Sequence, residues 1–427
     1  MKMVATMVSA WKIPDIKKKM LFTLLMMAIF RLGSNIPVPG IDRTVLAKMF
    51  EDGQGGIFGL FDLFSGGAFS NFTIFALSIT PYITASIILN LLTIAIPALE
   101  NLAKEGEEGK KKIAQYTRYL TVVLAFVQGI GVSVGLFRSA LINTDAFSIT
   151  VIVLTLTAGT AFLMWLGEQI TESGIGNGIS LIIFAGIISR LPIAVVDTVQ
   201  KTLAGQISYV SLVIFAIIAI LIIVAIVAIQ QGTRKIPVQY AKRVVGRKMY
   251  GGQSTHIPLK VNQSGVIPVI FSLSLLQFPI TLTYFFPNGG FAAFITKYLS
   301  PTATPGLWIY SIFNILLIVF FTYFYTAVTF NPLEVSNNMK ANGGFIPGIR
   351  PGKPTTEYLN RIMTRITFAG AIFLAFIAVF PTILLQFSEF SFRFGGTSLL
   401  IAVGVALETM KQIESQMMMR NYQGFLK

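Results

Sequence analysis

The segment QGTRKIPVQYAKRVVGRKMYGGQSTHIPLKVNQS, residues 231–264, carries seven Lys or Arg and no acidic residue. The acid-free stretch is wider still, since nothing between Asp197 and Glu334 is Asp or Glu. Long charge-free apolar runs flank the segment on both sides. A basic loop between two hydrophobic spans stays cytoplasmic, because positive loops resist translocation. This loop therefore orients the whole chain. It also offers a docking surface to an acidic or anionic partner.

Composition places the loop in a membrane protein. Of 427 residues, 54% are hydrophobic and only 12% charged, with a mean hydropathy of +0.73. A soluble chain keeps about 25% of its residues charged. The apolar runs last about 20 residues or more, the length an α-helix needs to cross the hydrocarbon core. Transmembrane β-strands would instead show short alternating segments. Cys is absent, so disulfides and thiolate metal sites are excluded. The single histidine, His256 in GQSTHIPLK, excludes a His-rich metal site and reads as a loop residue.

Charge-free runs and turn signals predict ten spans, at 20–37, 72–97, 119–137, 147–167, 175–190, 208–230, 265–285, 307–329, 366–387 and 395–412. The first follows Lys12, Lys17, Lys18 and Lys19 but is followed by SNIPVPGID, with no small-residue cleavage site, and is kept as an uncleaved span. With the N-terminus inside, twenty-five of the 33 Lys and Arg fall on the cytoplasmic side and eight outside. The reverse topology would invert that ratio, so both termini are expected in the cytoplasm. Ten spans divide into two sets of five. An odd number per half makes the second half enter from the opposite side, as in inverted-repeat transport proteins. The expected organisation is a cytoplasmic N-terminus (1–19), a first half (20–190), a second half (191–412) with long cytoplasmic loops at 231–264 and 331–362, and a tail (413–427).

Three local patterns interrupt the spans. GIFGLFDLFSGGAFS (56–70) is too short to cross, carries Asp62 and ends its apolar part at Gly66-Gly67. It reads as a re-entrant segment or as an amphipathic helix on the outer surface. Ile79 and Ile83 in the second span, and Ile179 and Ile183 in the fifth, are each spaced i, i+4 and so share a helix face; by themselves such pairs read as packing. Polar residues gather in span two (Thr80, Thr84, Ser86, Asn90) and span seven (Ser272, Ser274, Gln277). Small hydroxyls glue membrane helices together, while Asn90 and Gln277 suit an interface that opens and closes.

No Asp, Glu, Lys or His lies near the middle of a predicted span. Ion-coupled transporters keep such groups for function, and intramembrane proteases need a metal site, a nucleophilic Cys or paired carboxylates. No GxxxxGK[ST] phosphate loop occurs. These absences disfavour ion-coupled transport, intramembrane proteolysis and ATP hydrolysis through that motif, while a secondary transporter for a small solute stays open as one function class.

The ordered motifs RLGSNIPVPGID (31–42), LFSGGAFS (63–70), ITPYITASIILNLLT (79–93), EGEEGKKKIAQYTRY (105–119), MWLGEQITESGIGNGIS (164–180), YAKRVVGRKMYGGQSTHIPLKVNQSGVIP (240–268), FIPGIRPG (345–352) and FGGTSLLI (394–401) span the chain. Together they resemble the bacterial form of the SecY family, the channel subunits of the protein-export translocon. The resemblance implies an all-α polytopic membrane protein, with ten transmembrane helices in two pseudo-symmetric halves of five around a central pore. The resemblance implies a channel without catalytic residues or cofactor. The resemblance implies a pore ring of Ile79, Ile83, Ile179, Ile183, Ile270 and Ile401. A short re-entrant plug helix comprises Ile57, Phe58, Leu60, Phe61, Asp62, Leu63, Phe64, Ser65, Gly66 and Gly67. A lateral gate lies between spans two and three and spans seven and eight, with Thr84, Asn90, Ser272 and Gln277. Arg243, Arg247 and Arg350 in the basic loops face the ribosome and the motor ATPase SecA. The implied setting is a bacterial plasma membrane, with SecE and SecG as small membrane subunits, lipid at the gate, and preprotein signal sequences and nascent chains as cargo. Around Arg243, KIPVQY and the stretch from Arg247 to Tyr250 are expected to pair as a short hairpin.

Overall fold

The computed structural model describes residues 2–51, 62, 65–240, 243–245, 248–250, 254–286, 289–299, 305–387 and 396–424. Ten long helices stand where ten spans are expected. They are α1 (Pro14–Gly33), α2 (Thr80–Ala95), α3 (Glu107–Ile130), α4 (Ala146–Ser173), α5 (Gly178–Leu203), α6 (Tyr209–Gln231), α7 (Ile267–Leu282), α8 (Gly306–Thr329), α9 (Lys353–Phe387) and α10 (Gly396–Gly424). Seven are long and apolar enough by themselves to cross a membrane. An eighth is α2 taken together with the helix Pro97–Lys104, which turns away from it by 100°. Pro97 explains the corner, because the residue before a proline leaves the α region; Ile96 is extended at φ −111°, ψ 114°. The remaining two, α1 and α10, carry charges within them, Lys17 to Lys19 in the first and Glu408 and Lys411 in the second.

Two boundaries differ from the hydropathy reading. The second span begins at Thr80 rather than 72, because Phe72 and Ser78 hold φ of 43° and 54°, which a right-handed helix cannot contain. Pro81 then stands in the first turn, where its missing N–H costs nothing. The fifth span does not stop at 190. It continues to Leu203 with Pro192 inside the helix, through the boundary expected between the halves, and so Arg190 falls in mid-helix.

Helices adjacent in the chain pack side by side. The series α2–α3–α4–α5 forms one set, with α1 against α4 and α5. The series α7–α8–α9–α10 forms the other, with α6 against α9 and α10. The two sets meet along two seams, α2 against α7 on one side, and α1 and α5 against α10 on the other. The seam on the α2 side is closed at one end by a π-helical turn after α3, Gly131–Leu136. A Cβ on Gly135 would stand 1.6 Å from the Tyr284 carbonyl oxygen beyond α7, so only glycine permits that approach. The largest core cluster draws residues from α1, α2, α4, α5, α6, α7, α8, α9 and α10 and so spans both sets.

The basic loops build a separate body at one end of the bundle, called the basic end here. Its strands are β1 (Thr233–Tyr240), β2 (Arg243–Val245), β3 (Lys248–Tyr250), β4 (Ser254–Lys260) and β5 (Gly344–Phe345). The hairpin expected between KIPVQY and the 247–250 stretch does not form. β1 pairs with β4, Ile236 opposite Ile257, while Lys248 to Tyr250 pair with Arg243 to Val245 as a second, tighter hairpin. The longer pairing wins because it turns Ile236, Val238 and Leu259 inward together. β5, from the 331–362 loop, adds to the other edge of β1, with Gln239 opposite Phe345. The two loops therefore share one sheet and one core, with Met339, Ile346, Leu359, Ile362 and Met363.

Candidate functional site

Four of the six isoleucines in the expected ring converge. Ile79 and Ile83 from α2, Ile183 from α5 and Ile270 from α7 line one cavity of about 20 Å³, shared with Ser78, Thr80, Leu273, Ser274 and Gln277. Ile79 is the N-cap of α2 rather than part of its body. Its carbonyl accepts from Ile83 N at 3.1 Å, which keeps the two side chains on one face. All four are at least 90% buried. Ile401 on α10 is fully buried in the same core cluster but does not line the cavity. Ile179 turns elsewhere, and its Cδ1 lies 2.6 Å from where a Cβ on Gly167 of α4 would stand.

The cavity holds about one water by volume, and branched aliphatics on several sides keep such a constriction dry. Its polar side is the α2–α7 seam. Gln277 is buried there, and its Nε2 has no hydrogen-bond partner. No protein group therefore ties this amide nitrogen across the seam.

The four expected gate residues do not meet. Thr84 is buried and spends its hydroxyl on the Thr80 carbonyl at 3.1 Å. Ser272 donates to Asn314 Oδ1 at 2.7 Å and ties α7 to α8 within one set. Asn90 reaches only Ser86 within α2, at 3.5 Å. Since α2 and α7 run antiparallel, Gln277 is level with Thr80, and Asn90 lies about 15 Å further along α2 at 1.5 Å per residue. Asn314 was not legible as a partner, because its sequence neighbours are all apolar.

Of the expected plug, Ile57, Phe58, Leu60, Phe61, Leu63 and Phe64 lie outside the described residues. Asp62, Ser65, Gly66 and Gly67 lie within them and form the base of a turn that runs to Ser70. Asp62 Oδ1 accepts from Ser70 N at 2.8 Å, and its Oδ2 pairs with Arg190 Nη2 from α5. Arg190 also donates to Ser70 Oγ at 3.0 Å. From α1, Arg31 Nη1 donates to the Gly66 carbonyl at 3.2 Å. Gly66 and Gly67 hold φ of 64° and 95°, and a Cβ on either would meet Gly186 Cα or the Arg190 guanidinium at 2.8 Å. Two glycines are needed there for both shape and space.

At the basic end, Arg350 is exposed, and among the described residues it makes no ion pair. The loop that carries it is built firmly. Gly348 and Gly352 take φ of 82° and 99°, and the Arg350 carbonyl accepts from Thr355 Oγ1 at 2.9 Å. Arg243 opens β2; Arg247 lies outside the described residues. Among the described residues, no group of three or more His, Asp or Glu could hold a metal ion.

A family model described as SecY matches residues 73–410. The chain is 48% identical to the protein translocase subunit SecY of Streptomyces coelicolor, with both chains covered in full. It is 46% identical to that of Escherichia coli (strain K12), over 97% of this chain and 94% of that one. Among solved structures it is similar to one titled "The structure of a protein conducting channel", at TM-score 0.65 and 21% identity over 94% and 92% of the two chains. It is also similar to Sec61 in a canine ribosome–channel complex, at TM-score 0.59 and 18% identity over 94% and 92%. Those two likenesses concern the fold. With near-half identity along its whole length and a family model matching residues 73–410, this chain belongs to the SecY family.

Proposed function

We propose that the protein is a protein-conducting channel, which passes unfolded preproteins across the membrane and releases apolar segments sideways into lipid. The observation that carries this reading is the isoleucine-lined cavity of about 20 Å³ between α2, α5 and α7. It stands where the two helix sets meet. A constriction of branched aliphatics blocks ions when closed and yields to a peptide when the sets part. Ile79, Ile83, Ile179, Ile183, Ile270 and Ile401 form the ring, with Ile179 and Ile401 outside the cavity, and residues 57–67 serve as the plug. The α2–α7 seam is the lateral gate; of the four polar residues expected there, Gln277 lines the seam cavity, while Thr84, Asn90 and Ser272 bond within their own helix set.

The basic end is cytoplasmic, as the positive loops require, and the membrane is a bacterial plasma membrane. The halves are 20–190 and 191–412, with α5 reaching past the division. Arg243, Arg247 and Arg350 dock the ribosome and the SecA ATPase, which supply the driving force; the channel itself does no catalysis. SecE and SecG are its small membrane partners. Relatives named as translocase subunits and a fold-neighbour seen in a ribosome complex support this reading.

Reconstitution in vesicles tests it. Uptake should require a signal-bearing polypeptide together with SecA and ATP. Saturable uptake of a small solute without either would replace the channel by a secondary transporter.

A further inference from the structure

Arg190 is the thirteenth of the 26 residues of α5. A charge largely removed from water within a helix bundle is costly and is retained where a partner holds it. Its partner is Asp62, 128 residues earlier in the chain. The pair is mostly out of water, with the Arg190 and Asp62 side chains 29% and 15% exposed. The same guanidinium also grips Ser70 and lies against Gly67. Arg31 holds Gly66 from the other side. Four residues, Asp62, Gly66, Gly67 and Ser70, are thus clasped by two arginines from α1 and α5.

We infer that Arg190 is a positioning residue for the closed channel: its ion pair with Asp62 seats the 62–70 turn against α5 and must break before the pore opens. The clasp is placed to act on the ring. Ile183 lies two helical turns before Arg190 on α5, about 10 Å away at 1.5 Å per residue, and Ala68 of the clasped turn packs in the same core cluster as Ile79, Ile83 and Ile183. Gly186 lies between them, with its Cα 2.8 Å from the position of a Gly66 Cβ. Any motion that lifts the turn away from α5 separates Asp62 from Arg190 first. The carboxylate then leaves one guanidinium unpaired, and two cations, Arg31 and Arg190, face the vacated site.

This inference rests on the plug reading, and the test separates the two. Single-channel conductance of the purified complex in planar bilayers is measured for Arg190→Gln, Asp62→Asn, the exchange Asp62→Arg with Arg190→Asp, and deletion of residues 57–67. The near-isosteric Asp62→Asn keeps packing intact and guards against loss of fold in Arg190→Gln. Each single variant should raise spontaneous openings about tenfold, a coupling of ordinary size. The exchange should restore most of the closure. The two neutral substitutions combined should leak no more than either alone, because they remove one interaction. If the deletion leaks while both single variants stay closed, or if their effects simply add, the clasp fails and the plug stands. If the deletion also stays closed, the plug reading falls and the clasp with it.

Discussion

Ile83 and Ile183 reach one cavity from helices separated by two other spans, and each is at least 90% buried. Their shape matters less than their dryness, since an aliphatic constriction blocks ions by refusing water. Replacing both with Asn adds donors and acceptors at similar volume. Bilayer conductance of the closed complex should then rise by about tenfold or more, whereas Ile83→Val with Ile183→Val should leave it near the wild-type value. Arg350 presents the opposite case, an exposed side chain on a stiff loop. Its backbone is set by Gly348, Gly352 and the Thr355 bond, so a change of side chain should shift stability by no more than about 0.5 kcal/mol. Arg350→Glu should nonetheless abolish SecA-driven import into vesicles. Arg350→Lys should be partly active, because an ammonium cannot reproduce the planar fork that binds carboxylate or phosphate. Wild-type import by Arg350→Glu would remove the docking role.

Among elements, α2 and α7 form the seam that has to part. Gln277 and Thr80 face each other across it and Asn90 does not, since the antiparallel run places it toward the basic end. A thiol pair meant to lock the gate therefore belongs at Thr80 and Gln277. Bridging cysteines there with a short cross-linker should stop preprotein import and leave ATP-independent ion closure unchanged, and the native chain has no Cys to interfere. Import at the normal rate through a bridged seam would mean that α2 and α7 do not separate. Gln277 Nε2 is buried without a protein partner, so this seam lacks a direct bond from that amide nitrogen between the two sets.

For the molecule as a whole, two helix sets and one basic body have to act together. The basic body is one unit because β5 joins the 331–362 loop to β1. Its core continues into α9 through Leu359, which is fully buried. Leu359→Ala should cost about 2–5 kcal/mol locally. SecA-driven import should then fall through a loosened docking body, with closed-channel conductance unaltered, because the isoleucine cavity belongs to a different cluster. Conductance that rose together with the loss of import would show that the two cores are mechanically one.

Hydropathy and charge are local quantities that add along the chain, and from them the sequence by itself determined the membrane class, the helices and their order, and the two basic loops as a distinct polar part. Helical spacing also put Ile79 and Ile83 on one face, and both line the cavity, whereas Ile183 lines it without Ile179, which packs on Gly167. What the tertiary structure decided is non-local or depends on backbone geometry. The start of α2 depends on left-handed Phe72 and Ser78, which no propensity favours. The strand partners in 231–264 depend on which register buries Ile236, Val238 and Leu259 together. Ser272 looked like gate lining until Asn314 took its hydroxyl from 42 residues away. Arg190 looked like the end of a span because Pro192 follows it. Only when α5 continues through that proline does the arginine lie deep in the bundle, and only folding brings Asp62 to it.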